Sequence, residues 1–422
     1  MIRRKTPSGE NQRLEDISIA KEYDKLAAQE SKKYPVCVVA NDGALAEAME
    51  SVIRRAKLGK PLRASLNQGT PSLNGESSGK SQPGVANQCF VFSKLDPAKP
   101  TIVYDTYWRF AAERQAIFFR KLSGGPPTWT SDPVLRDYKF TNAYRASDRT
   151  SQYLIREVIY AGDQTLEEVF FRTMIFKMFN RIETWELFTR TLGRISYADY
   201  SFARYDAVLS KAINNGETIY SGAYIMPSSG PSSANGRKHR MHLKLIEQML
   251  KDDLAARLVD APSMGKAFEL LRAYSTIGDF LAYQYVTDLN YSTFLNFSEM
   301  EFVIPGPGAR DGIRKCFSEF GGLNEIDIIK LVAERQQVEF DRLGLEFQSL
   351  WGRPLQLIDC QNLFCEVDKY SRVKHPEFAG RTGRTRIKQK YRITPDPILY
   401  WYPPKWGLND RIAEGGLLVS SH

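Results

Sequence analysis

The charged and amide side chains between residues 140 and 160 have a spacing that suits contact with phosphate or with the edge of a base. Thr141 and Asn142 offer oxygen atoms for the start of a helix, and apolar residues follow at helical spacing. One face of that helix would carry Arg145, Arg149, Gln152 and Arg156. Asp148 lies beside this face and can pair with Arg145 or Gln152. Arginine binds phosphate well, although the periodicity alone favours a simpler interpretation, a solvated helix face with ordinary ion pairs.

Two glutamates form a second group with chemical potential. Asp288, Glu299 and Glu301 stand among aromatic residues, and in an extended segment the two glutamates would share one face. Carboxylates with apolar neighbours are candidates for a raised pKa and for acid–base catalysis.

The glycines that follow the two glutamates are Gly306, Gly308 and Gly312, one residue away from the dinucleotide-binding spacing and without a βαβ unit around them. They predict either an anion-binding turn at the start of a helix or a plain tight turn with a cap.

The elements that must position these residues are predominantly helical. The apolar patterns predict strands at 34–40, 90–95 and 101–106, and a helix at 45–55. Further helices are predicted from Trp108, at 166–187 as one buried helix, at 199–214, at 240–255, from about Ala309 and at 325–343. Residues 266–285 read as helix, turn at Gly278, helix, which fits either a DNA-binding helix-hairpin-helix or an ordinary packing corner.

Composition limits the function classes. The 422 residues are 42% hydrophobic and carry a net charge of +9, which fits a nucleic-acid partner. No apolar run approaches the ~20 residues of a membrane span, and no secretory signal follows the basic N-terminus. The five cysteines are few and odd in number, so we expect a reducing, intracellular location.

Much of the basic excess lies in two places. One comprises Arg237, Lys238 and Arg240, and the other is the C-terminal tail, with Arg381, Arg384, Arg386, Lys388, Lys390 and Arg392. We interpret this tail as an arm that binds the DNA backbone, with a solvated basic tail as an equally supported alternative.

Two motifs are rejected. The run GESSGKS at 75–81 has three residues where a P-loop needs four, and neither a strand nor a helix flanks it. Cys360 and Cys365 have a poor spacing for zinc. The sequence therefore predicts no metal site and no cofactor.

Three runs carry a family resemblance: residues 107–160 (YWRFAAERQ to LIREVIY), residues 288–317 (DLNYS and NFSEMEFVIPGPGARDGIRKCF) and residues 363–372 (LFCEVDKYSR). They resemble the helical domain of 5-hydroxymethyluracil DNA kinases and the related alpha-glutamyl/putrescinyl thymine pyrophosphorylases, over roughly residues 104–375. The resemblance implies a mainly α fold with a helical core like that of helix-hairpin-helix DNA glycosylases. A small α/β extension precedes that core.

We accordingly divide the chain into four parts. They are an N-terminal arm with a small βα element (1–67), a flexible linker (68–95), the helical base-modification domain (96–375) and the basic tail (376–422).

The resemblance implies an enzyme that acts on a modified pyrimidine in DNA. Without a P-loop, kinase activity is not expected, and the favoured activity is a transferase that displaces pyrophosphate with an amine or amino acid. The alternatives are a glycosylase that excises the base and a non-catalytic module that binds modified DNA.

The same resemblance suggests roles for individual residues. Glu299 and Glu301 follow Gly278 by about two dozen residues, where a catalytic carboxylate would face a flipped base. Asp148 is grouped with them and would orient Arg145. The DNA- or substrate-binding candidates are Asn142, Arg145, Arg149, Gln152, Arg109, Gly278, Gly306, Gly308 and Lys369.

Overall fold

The computed structural model describes residues 97–124, 129–222, 237–393 and 399–414, together with two short strands, Cys37–Ala40 (β1) and Gln88–Val91 (β2). β1 and β2 pair antiparallel, so the strand predicted at 34–40 is present. A second antiparallel pair joins Lys99–Pro100 (β3) to Phe317–Glu319 (β4). The helix predicted at 45–55 and the GESSGKS run lie outside the described residues.

The rest of the described chain is mainly helical, as predicted. In chain order, the α-helices are Ile102–Leu122 (α1), Pro133–Asp137 (α2), Arg149–Tyr153 (α3), Leu166–Phe179 (α4), Ile182–Leu192 (α5), Phe202–Asn214 (α6), Lys238–Lys251 (α7), Leu254–Val259 (α8), Met264–Arg272 (α9), Asp279–Leu289 (α10), Pro307–Cys316 (α11), Glu325–Arg342 (α12), Leu357–Lys374 (α13) and Asn409–Glu414 (α14). Short 3-10 turns occupy Arg145–Ser147 and Pro404–Trp406, and a π-helical turn occupies Leu154–Ile159.

Helix α1 forms one wall of the core. The side chain of Thr101 accepts a hydrogen bond from the backbone N–H of Val103 and so caps the helix. Basic residues occupy its last turn, where their positive charges interact favourably with the negative end of the helix dipole. The strand predicted at 101–106 is wrong, because Thr101 begins a helix whose next turn buries Val103 and Tyr104 instead of alternating.

Helices α11 and α13 make the closest contact of the core. A Cβ added at Gly308 would overlap the Sγ of Cys365, and one added at Gly312 would overlap the backbone carbonyl of Phe364. These two glycines therefore let the backbones of the two helices approach each other. A Cβ at Gly306 would lie 2.8 Å from the ring of Phe280. Close packing explains the glycine spacing that also suggested an anion-binding turn.

Helix α4 is buried along nearly its whole length, as the apolar pattern predicted. The single helix predicted at 166–187 is nevertheless wrong. Asn180 adopts a left-handed conformation with φ of 48° and ends α4, and α5 begins two residues later. The side chain of Asn180 accepts a hydrogen bond from the Nζ of Lys177 at 2.7 Å. A local polar contact therefore stabilises the break.

The helix–turn–helix predicted at 266–285 is present as α9 and α10. Thr276 in the turn has φ of 75°, and Gly278 is the N-terminal cap of α10. Its use as a DNA-binding hairpin stays a prediction. In the described part of the chain, no helix combines the length and apolarity that a bilayer crossing requires.

Candidate active site

Residues 141–153 form the loop and short helix on which the candidate site is built. The predicted helix over 140–160 is wrong for its first third: residues 141–144 are irregular and α3 begins only at Arg149. The backbone N–H of Asn142 donates to the Oδ1 of Asp148 at 2.8 Å, and its side-chain Nδ2 donates to the carbonyl of Ser147 at 2.7 Å. Short polar side chains thus satisfy the backbone in a loop geometry that competes with helix.

Asp148 is a partly exposed carboxyl group whose pKa is raised to about 7. Loss of hydration is the main cause of this raised pKa. The hydrogen bond from Asn142 opposes it, the Glu366 charge adds to it, and the Arg114 charge opposes it. An aspartate in this state exchanges its proton near neutral pH, as a general base or acid must.

Arg114 of α1 holds the loop beside Asp148. Its Nε donates to the carbonyl of Thr141 at 2.9 Å, and its Nη2 donates to the Oδ1 of Asn142 at 3.1 Å. The guanidinium is buried, and desolvation lowers its pKa although Asp148 and Glu366 act in the opposite direction. The arrangement places a fixed positive charge close to Asp148, a residue that is partly exposed.

Aromatic rings and lysines surround this pair. The Nζ of Lys121 donates to the hydroxyl of Tyr391 at 3.0 Å and lies 4.5 Å from the ring centre of Trp129. Burial, and to a smaller extent Arg114, lowers the pKa of Lys121 to about 8. Lys369 pairs with Glu366 at 2.7 Å. Cations interleaved with aromatic rings are typical of surfaces that bind nucleic acid.

The opposite side of the 141–153 segment contacts a fully enclosed charge cluster. The Nη1 of Arg145 lies 2.6 Å from the Oδ1 of Asp288, and the Nζ of Lys177 lies 2.8 Å from the Oδ2 of the same carboxylate. Arg145 also donates to Gln284 and to the hydroxyl of Tyr291. Burial alone would raise the pKa of Asp288, but the charges of Arg145 and Lys177 outweigh it and hold this pKa below its usual value. Arg145 is therefore oriented by Asp288, and the role predicted for Asp148 in orienting it is corrected.

A third carboxylate joins the two sides. Asp359 of α13 accepts hydrogen bonds from the backbone N–H of Arg145 at 2.8 Å and of Gln356 at 3.0 Å. Burial raises its pKa to about 7, against the two backbone hydrogen bonds. Because both oxygens face backbone donors, Asp359 serves as an anchor for the loop.

The structure separates the other residues predicted to bind DNA or substrate. Arg149 is exposed beside Asp148, and Arg109 is exposed on α1. Gln152 is buried, with its Nε2 donating to the carbonyl of Ala146 and its Oε1 accepting from the N–H of Trp401. The predicted stripe is thus not one face, because Arg145 and Gln152 point into the protein.

The predicted pair of glutamates is also divided. Residues 299–301 form a turn, so the expectation of one extended face is wrong. Glu299 forms an ion pair with Arg353, in which the Nη2 of Arg353 lies 2.7 Å from the Oε1 of Glu299. Glu301 is exposed. The carboxylates with raised pKa at this site are Asp148 and Asp359 instead.

Sequence reasoning missed Arg114, Lys121 and Lys177. Lys177 left a usable signal, because a lysine within the apolar run VFFRTMIFKMFN must find a buried counter-ion. Arg114 and Lys121 left none, since their partners Asn142 and Tyr391 are distant in sequence. Among the described residues, no three His, Cys, Asp or Glu side chains converge as a metal site would require.

The part of the chain that contains this site is similar to a known protein family. A family model described as "5-hmdU DNA kinase, helical domain" matches residues 101–380. The chain belongs to this family. The match contains α1 through α13 and the whole 141–153 segment, and it agrees with the resemblance inferred over 104–375.

A curated relative extends the comparison. A protein of Bacillus phage SP10 named 5-hmdU DNA kinase is 27% identical over 330 residues, which cover 74% of this chain and 51% of the relative. The chain thus spans about half the length of the relative it matches. No solved structure matches the chain.

These findings overturn one expectation. Kinase activity was judged unlikely because the chain has no P-loop, yet the family and the phage relative are both named as DNA kinases. This chain has no P-loop, but it matches only about half of the relative. The missing motif therefore does not separate this chain from kinases.

Proposed function

We propose that this chain binds DNA that contains a 5-hydroxymethyl pyrimidine and serves in phosphorylation of the hydroxymethyl group. The observation that carries the proposal is the partly exposed carboxyl of Asp148, whose pKa is raised to about 7, in front of the buried guanidinium of Arg114. Family membership supplies the substrate class and the reaction type.

Asp148 has the properties of the base in this reaction. It would take the proton of the hydroxymethyl group as that oxygen forms a bond to the terminal phosphorus of a nucleoside triphosphate. The bond from that phosphorus to the nucleoside diphosphate breaks, and the diphosphate leaves with the electron pair. A base with a pKa close to the working pH is suited to this step.

The surrounding cations would hold the substrate. Arg149 is exposed next to Asp148, and Lys121 and Lys369 lie at the edge of the same site. We assign these three side chains to DNA phosphates or the transferred phosphoryl group. Asn142 and Gln152 are assigned to positioning the loop, because their amide groups bond within the protein.

The test uses two DNA duplexes of the same sequence, one with 5-hydroxymethyluracil and one with thymine. Each is incubated with the chain and magnesium–ATP, digested to nucleosides and examined by mass spectrometry. We expect the phosphomethyl nucleoside from the first duplex only, and a rate at least ~100-fold lower with Asp148→Asn. Asp279→Asn, an exposed aspartate on α10, is the matched control.

Other products would point elsewhere. An amine or amino-acid adduct would support the transferase that displaces pyrophosphate, and a free base with an abasic site would support a glycosylase. If neither product nor any binding preference for the modified duplex is observed, the proposal is wrong.

A further inference from the structure

The basic segment, defined as residues 381–392, has an alternating pattern that the candidate site does not explain. Its basic side chains after Arg381 occupy every second position: Arg384, Arg386, Lys388, Lys390 and Arg392. All five are exposed, whereas Ile387 between them is buried and Tyr391 is half-buried. In an extended chain, alternate side chains point to opposite sides. The segment therefore packs on the protein through Ile387 and Tyr391, while Thr385 and Gln389 are exposed together with the row of basic side chains.

The beginning of the segment is fixed by a buried carboxylate. Asp311 of α11 accepts hydrogen bonds from the backbone N–H groups of Arg381 at 3.2 Å and Thr382 at 3.3 Å, and from the hydroxyl of Thr382. A Cβ at Gly380 would lie 3.0 Å from this carboxylate. The chain thus passes directly over Asp311.

The middle and the end of the segment are fixed as well. The Nη1 of Arg372 donates to the carbonyl of Arg386 at 3.1 Å. The N–H of Lys139 donates to the carbonyl of Gln389, and the N–H of Tyr391 donates to the carbonyl of Asp137, each at 3.0 Å. The hydroxyl of Tyr391 then accepts from Lys121 at the edge of the candidate site.

We infer that the basic segment is a preformed rail for the DNA backbone that leads to the candidate site. Its basic side chains recur about every 6.6 Å in an extended chain, close to the ~6.8 Å that two nucleotide steps of one strand occupy along a B-DNA axis. The segment holds six basic and no acidic residues between 380 and 393. Fixing the backbone before binding reduces the entropy lost on association.

This inference rests on the proposed function only in taking DNA as the partner. Asp311 is then a positioning residue, because it holds the backbone of the basic segment. Simple electrostatics predicts that removal of a negative charge strengthens DNA binding. If the basic segment is a preformed rail, Asp311→Asn should instead weaken DNA binding, because it weakens the hydrogen bonds that hold the basic side chains in line.

The first test measures the salt dependence of binding to a fluorescent unmodified duplex by anisotropy. The double variant Arg386→Gln/Lys388→Gln should lower the slope of log Kobs against log salt concentration by about 1.8, at about 0.9 for each phosphate contact. Lys211→Gln/Lys251→Gln removes the same charge from exposed positions on α6 and α7 and is the control. Equal slopes for the two double variants would overturn the rail.

The second test uses the anchor. Asp311→Asn and Thr382→Val should each weaken binding to the same duplex by about threefold or more through lost preorganisation, while Asp260→Asn, an exposed aspartate on the surface, should not weaken it. Thr382 is itself exposed, so its variant keeps the test valid if Asp311→Asn fails to fold. Unchanged affinity in Thr382→Val would overturn the anchor role.

These results are separable from the proposed function. A changed slope without preference for 5-hydroxymethyluracil would support the rail and contradict the proposed substrate. An unchanged slope with specific phosphorylation would do the opposite.

Discussion

Two aspartates differ in their ionisation. Asp148 lies within the 141–153 segment, and Asp288 contacts Arg145 of the same segment. Asp288 is enclosed between Arg145 and Lys177, and its pKa is lowered. Asp148 is partly exposed and its pKa is raised to about 7, although Arg114 lies behind it. Burial raises the pKa in both cases, so the difference comes from direct contact with two cations at Asp288.

The two aspartates illustrate two uses of a carboxyl group, one that stabilises the fold and one that can transfer a proton. A carboxylate bonded to two buried cations is permanently charged and holds elements together, here the loop, α4 and α10. A carboxyl group that solvent reaches and that changes protonation near neutral pH can accept a proton from a substrate. The same residue type thus serves two roles, set by its neighbours.

The largest effect is expected at the enclosed cluster. Asp288→Asn removes the carboxylate that pairs with the buried Arg145 and Lys177, so we expect the free energy of unfolding to fall by about 3–5 kcal/mol. Urea denaturation measures this change. Asp279→Asn on the same helix removes an exposed pair with Arg272 and should cost at most about 1 kcal/mol. Similar losses in the two variants would remove the distinction drawn here.

At Asp148 the corresponding change should have the opposite sign. The folded protein holds the Asp148 proton more tightly than the unfolded chain, so this group's contribution to stability falls as pH rises from about 4 to about 7. Asp148→Asn abolishes this pH-dependent loss of stability. It should therefore raise the free energy of unfolding at pH 8 by on the order of 2 kcal/mol, a value reduced to allow for the partial exposure of Asp148.

The measurement for Asp148→Asn is urea denaturation of both proteins at pH 5 and pH 8. The two free energies of unfolding should be closer at pH 5, where the carboxyl of the unmodified protein is protonated. A variant that loses stability at pH 8 would place Asp148 with Asp288 among the structural carboxylates.

The sequence predicted the helical class well because apolar periodicity reports local burial. Helix α12, for example, was predicted at 325–343 and found at Glu325–Arg342. The same method failed at 140–160, because the side chains of Asn142 and Asp148 bond the loop backbone and no periodicity records that competition.

The charge partners were beyond prediction for another reason. Arg145 was paired with its neighbour Asp148, but in the fold it meets Asp288, 143 residues away. A spacing rule covers residues three or four apart on one helix, whereas this contact depends on how the Arg145–Ser147 turn packs against α10. The raised pKa of Asp148 likewise could not be predicted, because it depends on the residues that surround this side chain in the fold.

The smallest expected effect tests Arg114, the cation that acts most strongly on Asp148. Arg114→Met removes a positive charge that favours the ionised carboxylate, so the pKa of Asp148 should rise further, by about one unit. Carbon NMR of labelled aspartate across pH 5 to 9 measures the midpoint, with Asp148→Asn identifying the signal.

Arg109→Met supplies the comparison, since Arg109 is exposed on the same helix. It should leave the midpoint of Asp148 unchanged. If both variants shift it equally, the field at Asp148 comes from the overall charge of the protein and not from the guanidinium behind it. If Arg114→Met alone raises it, the buried guanidinium of Arg114 lowers the pKa of Asp148, as Arg145 and Lys177 together lower that of Asp288.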